Sequence, residues 1–219
     1  MTLQNRVTPF GEIVANRARG QFMGNRGGRL HTEDKQLTGR RWVSRRWICC
    51  VTEFRGWWRE VMGNGYTELF FLDEATALAA GHRPCAFCRR QDYRRFVEAW
   101  SRAAGMQGPA AADVIDRVLH EERVGPRREK RTFTAAAGSL PPGTFVTFAE
   151  TPGDAFITWG GELYPWRFEG YGEAIGTAAG AEAFVLTPRS IVAAFEAGYV
   201  PRGGPAIEGR AATEQPRPS

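Results

Sequence analysis

The chain contains little cysteine and histidine and no long apolar run. Its 219 residues include four cysteines and three histidines. No apolar stretch approaches the roughly 20 residues that a membrane-spanning helix needs, and the first residues lack the apolar core of a signal peptide. Four cysteines are too few for a secreted disulfide scaffold of this size. We therefore expect a cytoplasmic protein with no membrane partner, whose cysteines serve a metal site more readily than disulfides.

Positive charge is concentrated in the first half of the chain, and arginine supplies nearly all of it. The formal net charge is +5. The chain up to Ala104 has 18 basic against 10 acidic residues, whereas the remainder has 11 against 14. Arginine is suited to bidentate contacts with phosphate. The charge distribution therefore predicts a nucleic-acid partner for the amino-terminal half.

The clearest motif is the C-x-x-C pair formed by Cys85 and Cys88. Pro84 is well placed to begin a helix that continues to about Ala104, so both cysteines are expected in its first turn. Two thiols on one side of such a turn can hold a tetrahedral ion, usually zinc. The motif therefore predicts a Zn²⁺ cofactor.

Two further ligands are needed to complete a structural zinc site. We assign them to Cys50 and His31, with Cys49 and His82 as the alternatives. Adjacent cysteines in a strand point to opposite faces, so only one of Cys49 and Cys50 is expected to face the metal.

The predicted helix after the cysteine pair is rich in arginine. Its apolar positions recur at helical spacing, which leaves the arginines on the remaining faces. We expect these side chains, with one arginine just before the motif, to contact phosphate. The predicted contacts are Arg83, Arg89, Arg90, Arg94 and Arg95.

Residues 70–90 resemble the amino-terminal zinc domain of Ada, the alkylation-response DNA repair protein. Phe70 and Phe71 precede a short alanine helix, which is followed by Gly81-His-Arg-Pro-Cys85-x-x-Cys88. The resemblance implies a related zinc corner on a scaffold that binds DNA rather than RNA. In that family one zinc cysteine accepts a methyl group from a phosphotriester, and Cys50 or Cys49 would be the candidate here. The expected function is therefore that of a zinc-containing DNA-binding protein in DNA repair or modification.

Two enzymatic alternatives act on a nucleobase. His31 and Glu33, with the Pro84–Cys88 segment, match the H-x-E…P-C-x-x-C letters of zinc deaminases. Separately, Asp116 and His120 lie one helical turn apart, and a carboxylate in that position can orient a catalytic histidine. That pair would suit base excision by a glycosylase.

The pattern of elements predicts an α+β fold. A zinc-pinned basic domain is expected over 1–105, a helix and a small antiparallel β subdomain over 106–202, and a disordered tail over 203–219. Asp73 is expected to cap a short helix that ends at Gly81. Thr187 is expected to cap a later helix that has Pro188 at its first position.

The expected strands are spread along the chain. Residues 46–54 and 67–72 have strand character, and residues 57–62 are expected to pair with the first of these strands. Residues 1–40 are expected to be loop-rich, with the glycines of 20–31 in an ordered loop. The later strands are expected at 144–149, 155–159, 162–166 and 183–186, with Gly160-Gly161 as a hairpin turn.

Overall fold

The computed structural model describes residues 2–176 and 180–205. Within these residues the protein is a mixed α+β structure with two six-stranded sheets and four α-helices. The predicted α+β class is confirmed. Residues 206–219 of the predicted tail lie outside the described part. No helix in the described part is long and apolar enough to cross a membrane.

The first sheet is formed by the amino-terminal segments. Its strand order is β2-β1-β5-β3-β4-β6. The β1–β5 and β4–β6 pairs are parallel and the others antiparallel. Three of the six strands come from residues 1–40, where loops were expected, and residues 57–62 form no strand. The strands are β1 Gln4–Val7, β2 Ile13–Ala15, β3 Phe22–Asn25, β4 Ile48–Val51, β5 Leu69–Phe71 and β6 Arg83–Pro84.

The second sheet is antiparallel throughout and has the order β11-β10-β9-β8-β12-β7. The hairpin between β9 and β10 turns through Gly160 and Gly161, whose φ angles are 62° and 87°. Glycine adopts such angles without steric cost, so the predicted turn is confirmed. The strands are β7 Phe133–Ala136, β8 Phe145–Thr147, β9 Phe156–Trp159, β10 Glu162–Arg167, β11 Gly170–Tyr171 and β12 Glu182–Val185.

Local signals define the ends of the first helix. Asp73 Oδ1 accepts a hydrogen bond of 2.8 Å from the N–H of Thr76, which confirms the predicted N-cap. Gly81 follows the helix with φ 87°, the left-handed conformation expected of a terminating glycine. The helices of the described residues are α1 Glu74–Ala79, α2 Arg90–Ala103, α3 Ala112–Arg123 and α4 Arg189–Glu196.

The start of α4 differs from the prediction. Pro188 occupies the N-cap position. The hydroxyl of Thr187 instead accepts a 2.9 Å hydrogen bond from the backbone N–H of Phe145. This side chain therefore ties α4 to the second sheet rather than capping the helix.

Helix α1 lies between the two sheets, and all six of its residues are buried. Ala77 contributes to the core of the first sheet, while Ala75 and Ala79 contribute to a cluster with Phe145 and Ile157 of the second. A third core joins α2, α3 and α4, and it spans the predicted domain boundary near residue 105. Its large members are Leu78, Phe96, Trp100, Ile115, Leu119, Ile191, Phe195 and Tyr199.

Candidate metal centre

Strand pairing brings two of the cysteines together. β4 and β6 are parallel, with Cys49 opposite Pro84, so Cys50 and Cys85 follow at neighbouring positions. The N–H of Cys85 donates to the carbonyl of Cys49 over 2.9 Å. Because successive strand residues point to opposite faces, Cys49 enters the apolar core while Cys50 faces Cys85. As strand alternation predicts, only one of the adjacent cysteines, Cys50, lies with Cys85 and Cys88.

Cys85 and Cys88 lie in a turn before α2, not in its first turn as predicted. Pro84 belongs to β6, and α2 begins at Arg90. The N–H of Arg83 donates to the carbonyl of Trp47, just before β4, and the N–H of Cys85 donates to that of Cys49 in β4. The missing N–H of Pro84 therefore falls at a position where the strand pairing needs no donor. The turn then brings the sulfur of Cys88 close to that of Cys85. The N–H of Phe87 lies 3.4 Å from Cys85 Sγ.

The sulfur atoms of Cys50, Cys85 and Cys88 all lie within 4.8 Å of one another. A tetrahedral ion with metal–sulfur bonds of about 2.3 Å would place its sulfur ligands about 3.8 Å apart. The observed group is therefore close enough to bind a metal ion after small side-chain movements. Cys50 and Cys85 are buried, and Cys88 is half-buried.

Hydrogen bonds within the group shift the pKa values of Cys85 and Cys50 in opposite directions. Donation by the Cys50 thiol, and then by Cys88, lowers the pKa of Cys85 far below its ordinary value. Donation to Cys85 and Cys88, together with burial, raises the pKa of Cys50. The group therefore favours the thiolate at Cys85 over that at Cys50, and the thiolate is the form in which cysteine binds metals.

Cys49 is separated from this group by the strand itself. Its sulfur is fully buried and lies 3.3 Å from Nη1 of Arg89. Burial raises the pKa of the Cys49 thiol. Cys49 therefore has the environment of a small core residue rather than that of a ligand.

His31, which the sequence analysis assigned to the metal, is not a member of the group. Its Nδ1 lies 2.6 Å from the hydroxyl of Thr67, and its Nε2 lies 2.9 Å from the carbonyl oxygen of Gly63. Both ring nitrogens are thus hydrogen-bonded to the loop that precedes β5. Glu33, the proposed proton shuttle of a deaminase, is exposed near His31 and is not a member of the cysteine group. The alternative histidine, His82, is fully buried between Trp47 and Phe71.

The five predicted phosphate-binding arginines divide into two sets. Arg83 is buried and forms a bidentate ion pair with Asp116, both contacts being 2.8 Å. Arg89 is buried and pairs with Glu74 and Asp92. These two side chains stabilise the interior and are too buried to contact a nucleic acid. The remaining three, Arg90, Arg94 and Arg95, are exposed on α2.

The predicted catalytic pair has other partners. Asp116 is buried against Arg83, as described above. His120 contacts Trp42 and Trp47 edge-on, and its Nδ1 lies 3.3 Å from Nη2 of Arg123. Burial, and then the charge of Arg123, lowers the pKa of His120. Among the described residues, no hydrogen bond joins the carboxylate of Asp116 to the His120 ring.

An aromatic patch beside the cysteines was not predicted. Phe87, between the two motif cysteines, packs on Phe54 and Trp57 with ring centroids 5.2 and 5.9 Å apart. The guanidinium of Arg55 lies over Phe54. Phe87 is 59% and Trp57 64% exposed, which is high for residues of this size. The signal available in the sequence was an aromatic residue inside the C-x-x-C motif.

The chain was compared with known proteins at three levels. No family model, no curated protein and no solved structure matches it.

Proposed function

We propose that the protein is a zinc-containing DNA-binding protein that acts in DNA repair or modification. The observation that carries this proposal is the group formed by Cys50, Cys85 and Cys88, whose sulfurs lie within 4.8 Å of one another. Zinc is the proposed ion because clustered thiolate ligands favour it and because it undergoes no redox change.

The surface next to the cysteines supports a nucleic-acid partner. Arg90 follows Cys88 by two residues, and Arg94 continues the exposed basic face one turn along α2. Phe87 and Trp57 supply exposed rings near the same place. Exposed guanidinium groups bind phosphates, and exposed rings stack on bases. The two kinds of side chain occur together at this end of the molecule.

The number of cysteines supports chemistry at the metal. The group found among the described residues supplies three sulfur ligands, so a tetrahedral ion would take its fourth ligand from solvent or substrate. In the proposed repair reaction the sulfur of one of these cysteines would form a bond to the methyl carbon of a phosphotriester as the carbon–oxygen bond breaks, which gives S-methylcysteine and a phosphodiester anion. A zinc ion held by the three cysteines would keep that sulfur in its nucleophilic thiolate form.

DNA affinity measured as a function of salt tests the proposed interface. Replacing Arg90 and Arg94 by glutamine should weaken duplex binding and reduce the slope of log K against log salt by about 0.9 for each lost phosphate contact. The matched control is the Arg17→Gln/Arg117→Gln variant, which removes the same charge from two other exposed positions. Equal losses in both double variants would show that binding is not located on α2.

A second measurement tests the repair chemistry. The zinc-loaded protein is incubated with DNA that carries methyl phosphotriesters, and its peptides are examined by mass spectrometry. A methyl group on Cys50, Cys85 or Cys88 is expected. If the cysteines stay unmodified after prolonged incubation with bound DNA, the protein binds DNA but does not carry out this reaction.

A further inference from the structure

The protein has a small cavity whose lining contains none of the four cysteines. It lies between Trp47, the end of α3 and two loops, and its volume is about 20 Å³. A single acidic residue, Glu129, contributes to its wall. The basic side chains that line it are Arg26, Arg41, Arg123, Arg128 and Lys130.

Two of these guanidinium groups are buried against the same indole ring. Arg26 is 1% exposed and Arg123 is 2% exposed. The Cζ atom of each lies 4.0 Å from the centroid of the Trp47 ring. Cation–π contact stabilises each charge in part, but it does not neutralise either one.

The hydrogen-bond partners of both arginines are uncharged. Arg26 donates to the carbonyl of Gly11 over 2.8 Å and to Nε2 of His82 over 3.4 Å. Arg123 donates to the carbonyls of Gly81 and Arg45, each over 2.6 Å. Its Nε atom is buried without a partner. Neither arginine is in any ion pair found within residues 2–176 and 180–205.

Other buried arginines of the same protein are neutralised. Arg83 has the carboxylate of Asp116, and Arg89 has that of Glu74. Burying a charge without a counter-charge is costly. The contrast therefore indicates that the space beside Trp47 suits a bound anion, because no carboxylate of the described residues pairs with either arginine.

Mutual repulsion supports this interpretation. Burial, and then the charge of Arg41, lowers the pKa of Arg26 to about 9. Burial, and then Arg26 and Arg123, lowers the pKa of Lys130 to about 7. A bound anion would oppose both shifts.

We propose that this cavity binds a phosphate group, with Arg26 and Arg123 inside it and Arg41 and Arg128 at its mouth. A cavity of this size admits one or two water-sized groups, so it would receive one or two oxygens of a phosphate while the rest of the group stays at the mouth. Five basic side chains against one carboxylate favour a doubly charged tetrahedral anion over a singly charged carboxylate. The mouth is held by a 2.7 Å hydrogen bond from Arg41 to the carbonyl of Arg128. This inference does not rest on the metal centre.

The phosphate can be free or can belong to the end of a nucleic acid. Calorimetry with inorganic phosphate, against sodium chloride at equal ionic strength, measures the free ion. Binding of a 5′-phosphorylated oligonucleotide, against the same oligonucleotide with a 5′-hydroxyl, measures the nucleic-acid end. Saturable binding in either arm supports the proposal, and the arm that responds identifies the source.

The variants locate the site. Arg123→Gln should weaken phosphate binding by about tenfold or more, because a charged donor is lost. If that buried substitution prevents folding, the exposed Arg128→Gln variant tests the mouth, with a smaller loss expected. Arg117→Gln is the matched control and should bind as the unmodified protein does.

Two results would overturn the proposal. One is the absence of phosphate binding beyond the chloride control in the first arm together with no preference for the 5′-phosphate over the 5′-hydroxyl in the second. The other is binding that Arg128→Gln and folded Arg123→Gln leave unchanged, which would mean an adventitious ion only.

Discussion

Nη2 of Arg89 lies 2.7 Å from Oε1 of Glu74, and both side chains are buried. Glu74 opens the helix between the two sheets, whereas Arg89 directly follows the cysteine turn. The same carboxylate also accepts hydrogen bonds from the hydroxyl of Tyr199 and the N–H of Arg202. This ion pair therefore joins the turn that carries Cys85 and Cys88, helix α1 and the carboxy-terminal segment.

Breaking this pair should be strongly destabilising. Arg89→Met would leave Glu74 buried without its cation, and such losses cost about 3–5 kcal/mol. Urea unfolding provides the measurement. The exposed Arg94→Met variant should change the free energy of unfolding by less than about 0.5 kcal/mol.

A double variant separates the loss of the pair from the loss of packing. Arg89→Met with Glu74→Gln removes both charges, so it should be less destabilised than the sum of the two single variants. Strict additivity would show that the two side chains do not interact.

Acid should weaken the neighbouring interaction at Asp92. Burial alone would raise the pKa of this carboxyl, but the charges of Arg89, Arg95 and Arg202 outweigh it and hold the pKa below the ordinary value. Because the folded-state pKa is the lower one, the stabilisation is present above the unfolded-state pKa of about 3.9 and is lost as pH falls through the folded value.

The Asp92→Asn variant tests this dependence. The free energy of unfolding of the unmodified protein should exceed that of the variant at pH 7, and the difference should shrink below about pH 4. The measurement is urea unfolding over this pH range. A difference that stays constant down to pH 2 would contradict the expected titration.

Adjacent cysteines provide a matched test of the metal centre. Cys50→Ala should lose bound zinc, because it removes one of the three clustered sulfurs. Cys49→Ala should keep a full equivalent, because its sulfur faces the core and Arg89. Metal content after purification in zinc-containing buffer provides the measurement. Loss of zinc in both variants, with both folded, would mean that the core cysteine also supports the ion.

Local signals explain which elements could be predicted. Asp73 and Gly81 act on their own helix, and each was found where expected. The grouping of Cys50 with Cys85 was predictable because strand alternation and a short motif determine where these side chains point. These signals depend on neighbours in sequence, so they survive in any fold.

The remaining assignments depended on long-range partners. Arg89 belongs to an arginine run, and only the fold brings Glu74 to it. His31 matched a metal-ligand pattern, but Thr67, far along the chain, binds its ring. The strand β3 was missed because its glycine weakens the local strand pattern. The glycine, Gly24, is required because β3 lies against β4, a strand that is distant in sequence.

Gly24 is therefore expected to tolerate no side chain. A Cβ atom there would lie 2.2 Å from the carbonyl oxygen of Ile48 and 2.9 Å from the Phe71 ring. Backbone cannot yield as a flexible side chain can, so Gly24→Ala should push β3 from β4. The expected loss is about 1–3 kcal/mol in the free energy of unfolding, as for other overpacked core sites.

The matched control is Gly39→Ala, since a Cβ at that exposed glycine meets nothing within 4 Å. It should unfold at the same urea concentration as the unmodified protein. Because β3 supports the strand that carries Cys50, Gly24→Ala should also weaken zinc binding, although it removes no ligand. A Gly24→Ala protein with unchanged stability and zinc affinity would show that the close contact between β3 and β4 does not position the metal centre.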